Sequence, residues 1–194
     1  MSTSTSLNED RRCFGLMMMI IIIISMIFVG SLTLSIDSSA YASREEENIA
    51  ISKAPVYESV NGTLTSMRVI DVYSGNPKTE ASFTENATMT GVGYVNNRGT
   101  YEESIISSNI TRGTGKGIIS SHESGNIITW NAHDLGEKQE DGTYVFKGII
   151  FLNIPPGSDG VDGSNEFEYL DNQVGIYRSI VNDTGSIREI WLLS

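Results

Sequence analysis

Two histidines each stand beside an acid, His122 before Glu123 and His133 before Asp134. Imidazole and carboxylate together suit a zinc-type site, so the first question is whether the two can meet. Ser124-Gly125 reads as a turn, which sets His122 opposite Asn126 or Ile127. At about 3.4 Å per residue the imidazoles then lie roughly 20–24 Å apart, at opposite ends of one hairpin. They cannot share an ion. A second cluster, Asp159, Asp162, Asn165, Glu166 and Glu168, falls in a Gly-rich loop. Oxygen ligands on a flexible loop suit calcium, with Asp159, Asp162, Asn165 and Glu166 as the candidate set. The spacing matches neither the EF-hand loop nor a nonapeptide calcium repeat, and the competing reading is a solvated acidic loop.

Other motifs are quickly bounded. Gly113-Thr114-Gly115-Lys116-Gly117 resembles a phosphate loop only superficially, because a P-loop needs Ser or Thr after the Lys and a helix after that. No G-x-S-x-G elbow occurs, so a serine nucleophile has no positive support. Cys13 is the sole cysteine, and it precedes the long apolar run, so the domain beyond has no disulfide, thiolate or cysteine-bound metal. No catalytic residue and no cofactor is assigned. What remains is a set of aromatics on strand-like segments, Tyr101, Trp130, Tyr144, Phe146, Phe151, Tyr177 and Trp191. They are either core packing or the lining of a lumen.

The elements that position these residues are strands. From Ala54 onward, β-branched residues, glycines and turn pairs recur every eight to twelve residues, the mark of an all-β sandwich or barrel. The expected strands are residues 55–60, 64–73, 79–84, 88–95, 100–107, 113–121, 126–133, 143–153, 166–170, 174–182 and 187–193. Turn chemistry is read at Asn61-Gly62, Ser74-Gly75-Asn76-Pro77, Asn97-Arg98-Gly99, Glu123-Ser124-Gly125, Asp141-Gly142 and Asp183-Thr184-Gly185. Short connections make neighbouring strands antiparallel and sequential, a meander closing into a barrel. Glycines inside strands, at Gly91-Val92-Gly93 and Gly113 to Gly117, are read as permitting bends and bulges. The segment 143–153 is apolar on both faces, Val145, Ile149 and Phe151 against Tyr144, Phe146, Ile150 and Leu152. Its outer side is therefore expected to be covered by a helix, a terminal segment or another subunit, and a homo-oligomer is one expectation.

Phe14 to Leu34 carries no charge, with Arg11-Arg12 before it and Ala40-Tyr41-Ala42 after it. The basic start, apolar core and small-residue site fit a secretory signal cleaved near Ala40 and Ala42. The whole run also suffices to span a membrane. Either reading keeps the N-terminus inside and places the rest of the chain outside the cytoplasm. The expected organisation is an n-region at 1–13, a signal or anchor segment at 14–36, a polar tether at 37–54 and a β-barrel domain at 55–194. Beyond residue 42 there are 11 Lys and Arg against 21 Asp and Glu. That acidic balance disfavours nucleic acid and anionic lipid surfaces as partners. The only membrane contact expected is through the N-terminal segment, if uncleaved.

A family likeness is carried by Arg68-Val69-Ile70-Asp71, Gly99-Thr100-Tyr101, Gly113 to Ile119, Glu123-Ser124-Gly125, Thr129-Trp130, Asp141-Gly142, Phe146-Lys147-Gly148, Leu170 to Gly175 and Trp191, in that order. This order resembles a group of uncharacterised secreted proteins of ammonia-oxidising archaea, over roughly residues 65–193. Against that pattern, Pro155 to Gly163 is an insertion. The layout is also similar, at the level of fold, to calycin-like barrels of the allene oxide cyclase and dirigent type. That resemblance implies a lumen for an apolar small molecule, in some cases with a cyclisation steered inside it. The leading expectation is a non-enzymatic extracytoplasmic module that binds an apolar small molecule or serves as a cell-surface component. A cyclase or isomerase acting in the lumen, and an envelope protein assembling through its outer sheet faces, are the alternatives.

Overall fold

The computed structural model describes residues 49–158 and 164–194. The apolar run, the Ala40 and Ala42 site and the acidic residues Asp159 and Asp162 lie outside them. Among the described residues no helix is long and apolar enough to cross a membrane.

Eight strands, each hydrogen-bonded to the next in sequence, form an antiparallel meander that closes when β8 pairs with β1. They are β1 (Tyr57–Asp71), β2 (Lys78–Met89), β3 (Gly93–Ile105), β4 (Ile110–Ser121), β5 (Ile127–Lys138), β6 (Tyr144–Asn153), β7 (Val174–Asn182) and β8 (Gly185–Leu192). The expected all-β barrel is the observed one. It is built from fewer, longer strands than the turn chemistry indicates. Asn61, with φ of 59°, sits in a bulge inside β1 rather than in a hairpin turn. Asn97-Arg98-Gly99 lies in mid-β3 with unbroken pairing on both sides. The real β2–β3 turn falls at Thr90 to Val92, where Gly91 takes φ of +80°. The expected strand at 166–170 is instead a 3-10 turn, Glu168–Leu170, that buries Phe167 and Leu170.

Strand parity sets the interior. Ala81, Phe83, Glu85, Ala87 and Met89 point inward from β2, and Trp130, Ala132, Asp134 and Gly136 from β5. Most interior glycines leave space rather than create bends. A Cβ on Gly99, Gly115 or Gly117 would lie 2.5–2.9 Å from the Trp130 ring, and one on Gly136 would lie 2.5 Å from the Phe146 ring. Rings on β5 and β6 fill the volume that glycines leave on adjacent and nearby strands, Trp130 over its partner Gly117 and Phe146 over its partner Gly136.

The two ends differ. At one end the β6–β7 connection folds over the opening, and Phe167 and Leu170 insert among Tyr57, Met89, Val95, Ile119, Ile128, Leu152 and Ile190. Nine of these side chains are almost wholly removed from solvent, at 2% exposure or less. The end of the tether closes on the same side. Ala50 and Ser194 exchange backbone hydrogen bonds of 2.8 and 2.9 Å, and Ile51 pairs with Leu193. At the other end, the β7–β8 turn and the edges of β1 to β3 surround an opening.

Candidate functional site

The site is the lumen beneath that opening, a cavity of about 520 Å³. Leu64, Met67, Ala81, Phe83, Phe146 and Val181 supply apolar wall, and Glu103 and Asp183 stand among the lining residues that bear charge. The volume falls within the ~300–1,000 Å³ usual for small-molecule sites. Towards the plugged end the lumen narrows to a gap of about 10 Å³, bordered by Asn97, Trp130, Tyr177 and Arg188.

A belt of polar side chains separates the cavity from the apolar plug. At its centre is Glu85, 2% exposed. Its Oε1 accepts from the Tyr57 hydroxyl at 2.8 Å, from Asn97 Nδ2 at 2.8 Å and from Arg188 Nη1 at 2.9 Å. Oε2 accepts from Ser59 Oγ at 3.3 Å, and Ser59 Oγ in turn accepts from the Arg188 backbone N–H at 2.8 Å. Trp130 Nε1 donates to Asn97 Oδ1 at 2.8 Å. A buried carboxylate is tolerable only when paired and hydrogen-bonded in this way. Arg188 gains a second stabilisation from rings, its Cζ lying 4.7 Å from the centre of Phe83 and 6.0 Å from those of Trp130 and Tyr177. Burial works against the guanidinium charge, but Glu85 and the surrounding phenols hold its pKa above the ordinary value. Tyr57 is pushed the other way from ionising, first by burial and then by Glu85.

On the cavity side of this belt sits a smaller group. Asp134, 7% exposed, accepts a hydrogen bond from the Tyr177 hydroxyl. The Tyr101 hydroxyl faces the same carboxyl without forming an aligned hydrogen bond, and both it and Asp134 Oδ1 are buried without a partner. Burial raises the Asp134 pKa, against the opposing pull of both hydroxyls and Arg188. Burial and the neighbouring acid keep Tyr101 and Tyr177 protonated far above neutral pH. The lumen thus holds one hydroxyl donor not already spent, that of Tyr101, a carboxyl held towards its neutral form, and a cation paired with Glu85.

The aromatics singled out from sequence divide by parity. Tyr101, Trp130, Phe146 and Tyr177 line the lumen or the gap beneath it. Tyr144 points inward above them and stacks on Phe146 at 6.1 Å, while Tyr101 meets Phe146 edge-on at 5.9 Å. Phe151 and Trp191 are corrected. They occupy the opposite parity to Ile150, Leu152 and Ile190, which puts both on the outer face and leaves Phe151 39% exposed. Ile149 beside it is also exposed.

His122 lies in the β4–β5 turn and His133 on the outer face of β5, while Asp134 turns inward, so neither histidine joins an adjacent acid in a site. Among the described residues no group of His, Cys, Asp or Glu is arranged to hold a metal ion. Of the calcium candidates that are described, Asn165 is committed to the loop, bonding the Ser158 carbonyl and the Phe167 N–H. Glu166 accepts from Ser124 Oγ and Asn126 Nδ2, tying the β6–β7 connection to the β4–β5 turn. Burial opposes its charge, but the hydroxyls of Ser121 and Ser124, its own backbone N–H and the Asn126 amide prevail and bring its pKa down to about 2.

Glu85, Asn97 and Arg188 are the residues that sequence reading missed, and Asp134 enters it only as the acid beside His133. Each was marked in the sequence by phase. A charged or amide side chain alternates with Phe83 and Ala87, with Val95 and Gly99, with Ala132 and Gly136, or with Ile190 and Leu192. Breaking β2 after Thr84 and β3 at Asn97 concealed the first two.

No protein-family model and no curated protein matches the chain. Three solved structures do, each over 75% of this chain. One is a protein with unknown function from Clostridium acetobutylicum, at TM-score 0.57 and 9% identity over 99% of its length. Another is a β-barrel-like protein from Acinetobacter baumannii, at 0.58 and 10% over 97%. The third, a conserved protein of unknown function from Rhodopseudomonas palustris, matches at 0.54 and 7% over 97%. At such identities the likeness is one of fold, and it agrees with the strand order: this chain is similar to uncharacterised β-barrel proteins.

Proposed function

We propose that the barrel is a receptacle for a small, largely apolar molecule that enters at the open end and stops at the Glu85–Arg188 belt. One observation carries this reading: the lumen is filled with side chains at one end and holds a cavity of about 520 Å³ at the other. A barrel built only for stability would fill its interior, since an eight-stranded barrel is just wide enough for side chains to do so. Aliphatic and aromatic walls favour a ligand with an apolar body. The calycin-like resemblance and the exported location read from the leader belong to the same proposal. The domain would work outside the cytoplasm, released by cleavage or held by segment 14–36.

The test is binding of a hydrophobic naphthylamine dye to the full-length chain, beside native mass spectrometry for a carried ligand. Saturable dye fluorescence is expected for the wild type and should be lost in Val181→Trp, which fills the mouth. Equal fluorescence from both would place the dye elsewhere and defeat the reading.

A second reading, an isomerase- or cyclase-type enzyme in the same lumen, is favoured by the inward Tyr101, Asp134 and Tyr177. An enzyme of that kind needs converging acid–base groups next to an apolar body. The carboxyl pressed towards its neutral form by burial is suited to such a role. Turnover of a bound ligand recovered from the native protein, abolished in Asp134→Asn, would decide for it; release of that ligand unchanged would decide against it.

A further inference from the structure

We propose that the ligand enters head-first and presents a neutral oxygen acceptor, the carbonyl of a ketone or aldehyde, to the Tyr101 hydroxyl and the Asp134 carboxyl. This inference rests on the receptacle reading and specifies the chemistry at its floor.

Three observations support it. First, Tyr101 and Asp134 line the cavity, and each has a buried polar atom without a partner, the Tyr101 hydroxyl and Asp134 Oδ1. Such groups are costly to leave unmatched and are usually satisfied in folded proteins. Second, glycines on the two neighbouring strands leave both side chains room. A Cβ on Gly113 would lie 1.8 Å from the Tyr101 oxygen, so the hydroxyl rests against bare β4 backbone. A Cβ on Gly148 would meet the His133 carbonyl oxygen first and would lie 2.5 Å from Asp134 Cβ, so β5 backbone and the start of that side chain both rest against bare β6 backbone. Gly113 and Gly148 are the register partners of Asp134 on either side. The donors are therefore fixed before a ligand arrives, which lowers the ordering cost of binding.

Third, the charge balance selects against ions. Arg188, the cation of the lumen, is paired through Nη1 with Glu85, which accepts from Tyr57 and Asn97 as well, and its charge is balanced there although its Nε has no partner. A carboxylate head would have to compete with that pair, and it would pass Glu103 and Asp183 on the way in. An ammonium head would need a charged Asp134 while lying in the same cavity as Arg188, which like-charge repulsion disfavours. A carbonyl oxygen needs only donors. Tyr101 supplies one, and Asp134 supplies another when its carboxyl holds a proton, the form that burial favours, while its second oxygen still accepts from Tyr177.

Methyl octyl ketone, decanoate and decylamine share one chain length and differ at the head, so competition of each with the naphthylamine dye on the full-length chain isolates the head. The ketone is expected to displace the dye at about tenfold lower concentration than either ion. Tyr101→Phe should remove about that factor for the ketone alone. Ketone labelled at the carbonyl carbon gives a readout independent of affinity. Its resonance should move downfield when bound to the wild type, as hydrogen bonding draws density from the carbonyl, and move back in Tyr101→Phe. The wild-type comparison stands even if that variant fails to fold. Tighter binding of decanoate or decylamine, or no preference among the three, would overturn the inference while leaving the receptacle intact. Failure of dye and all three probes to bind would overturn the receptacle as well.

Discussion

The two ends of the barrel answer the same geometric problem in opposite ways. At the plugged end, Phe167 and Leu170 descend from the β6–β7 connection and close a layer that includes Tyr57, Met89, Val95, Ile128 and Leu152. At the open end the same strands carry Ala81, Phe83, Phe146 and Val181 around space. The belt of Glu85, Asn97, Trp130 and Arg188 lies between. The contrast assigns stability to one end and leaves the other free to vary. Half of a lumen can stay underfilled because the other half is closed.

The severest break in that arrangement is in the belt itself. Removing one member of a buried ion pair strands the other, at about 3–5 kcal/mol, whereas replacing both by apolar side chains is often close to neutral. Arg188→Met and Glu85→Leu are each expected to lower unfolding free energy by about that amount in denaturant titrations, and the double variant should recover most of it. Additive losses would show that the two side chains act independently and that the belt is not a closed unit.

The next contrast compares the ends directly. Leu152 is fully buried in the plug layer, and truncation to Ala is expected to cost about 2–5 kcal/mol. Val181 faces open cavity, and its truncation is expected to cost about 1 kcal/mol or less, because few neighbours lose contact. Equal losses would mean that the open end is packed in solution, and the division between the ends would fall.

How far the sequence discloses this molecule follows the same division. Alternation of apolar residues in 143–153 gives β6 and both of its faces correctly, and the hairpin turns at Ser124-Gly125, Asp141-Gly142 and Asp183-Thr184 stand where their chemistry puts them. Turn chemistry misled where glycine or asparagine served another purpose. Gly99 sits in mid-strand because Trp130 and Phe83 occupy the space of its missing side chain. Asn97 sits there because its amide bridges Glu85 and the Trp130 indole. Neither reason is local in sequence: Phe83 and Glu85 face these residues across the β2–β3 hairpin, and Trp130 reaches them from β5, two strands away. The acids of the β6–β7 connection misled in the same way. Glu166 reads as a free ligand until the β4–β5 turn arrives with Ser124 and Asn126. The polar floor was legible only as charge in phase with apolar neighbours, a signal that requires the strand bounds to be right.

The finest contrast is one proton on the cavity side. Burial raises the Asp134 pKa above its ordinary 3.8, so the folded protein binds that proton more tightly than the unfolded chain does. Its contribution to stability is then fully present below the unfolded value and is lost as pH rises through the folded one. Asn in its place cannot titrate, yet it still offers Tyr177 an acceptor. The difference in melting temperature between Asp134→Asn and wild type should therefore move in favour of the variant as pH rises above the ordinary 3.8 and level off only once the raised folded value is passed. Glu166 and the remaining acids titrate alike in both proteins and cancel in the subtraction. A difference that stays flat across this range would show that Asp134 ionises as it does in the unfolded chain. The cavity floor would then carry a full negative charge at neutral pH, and a cationic head would become a better fit to it than a carbonyl.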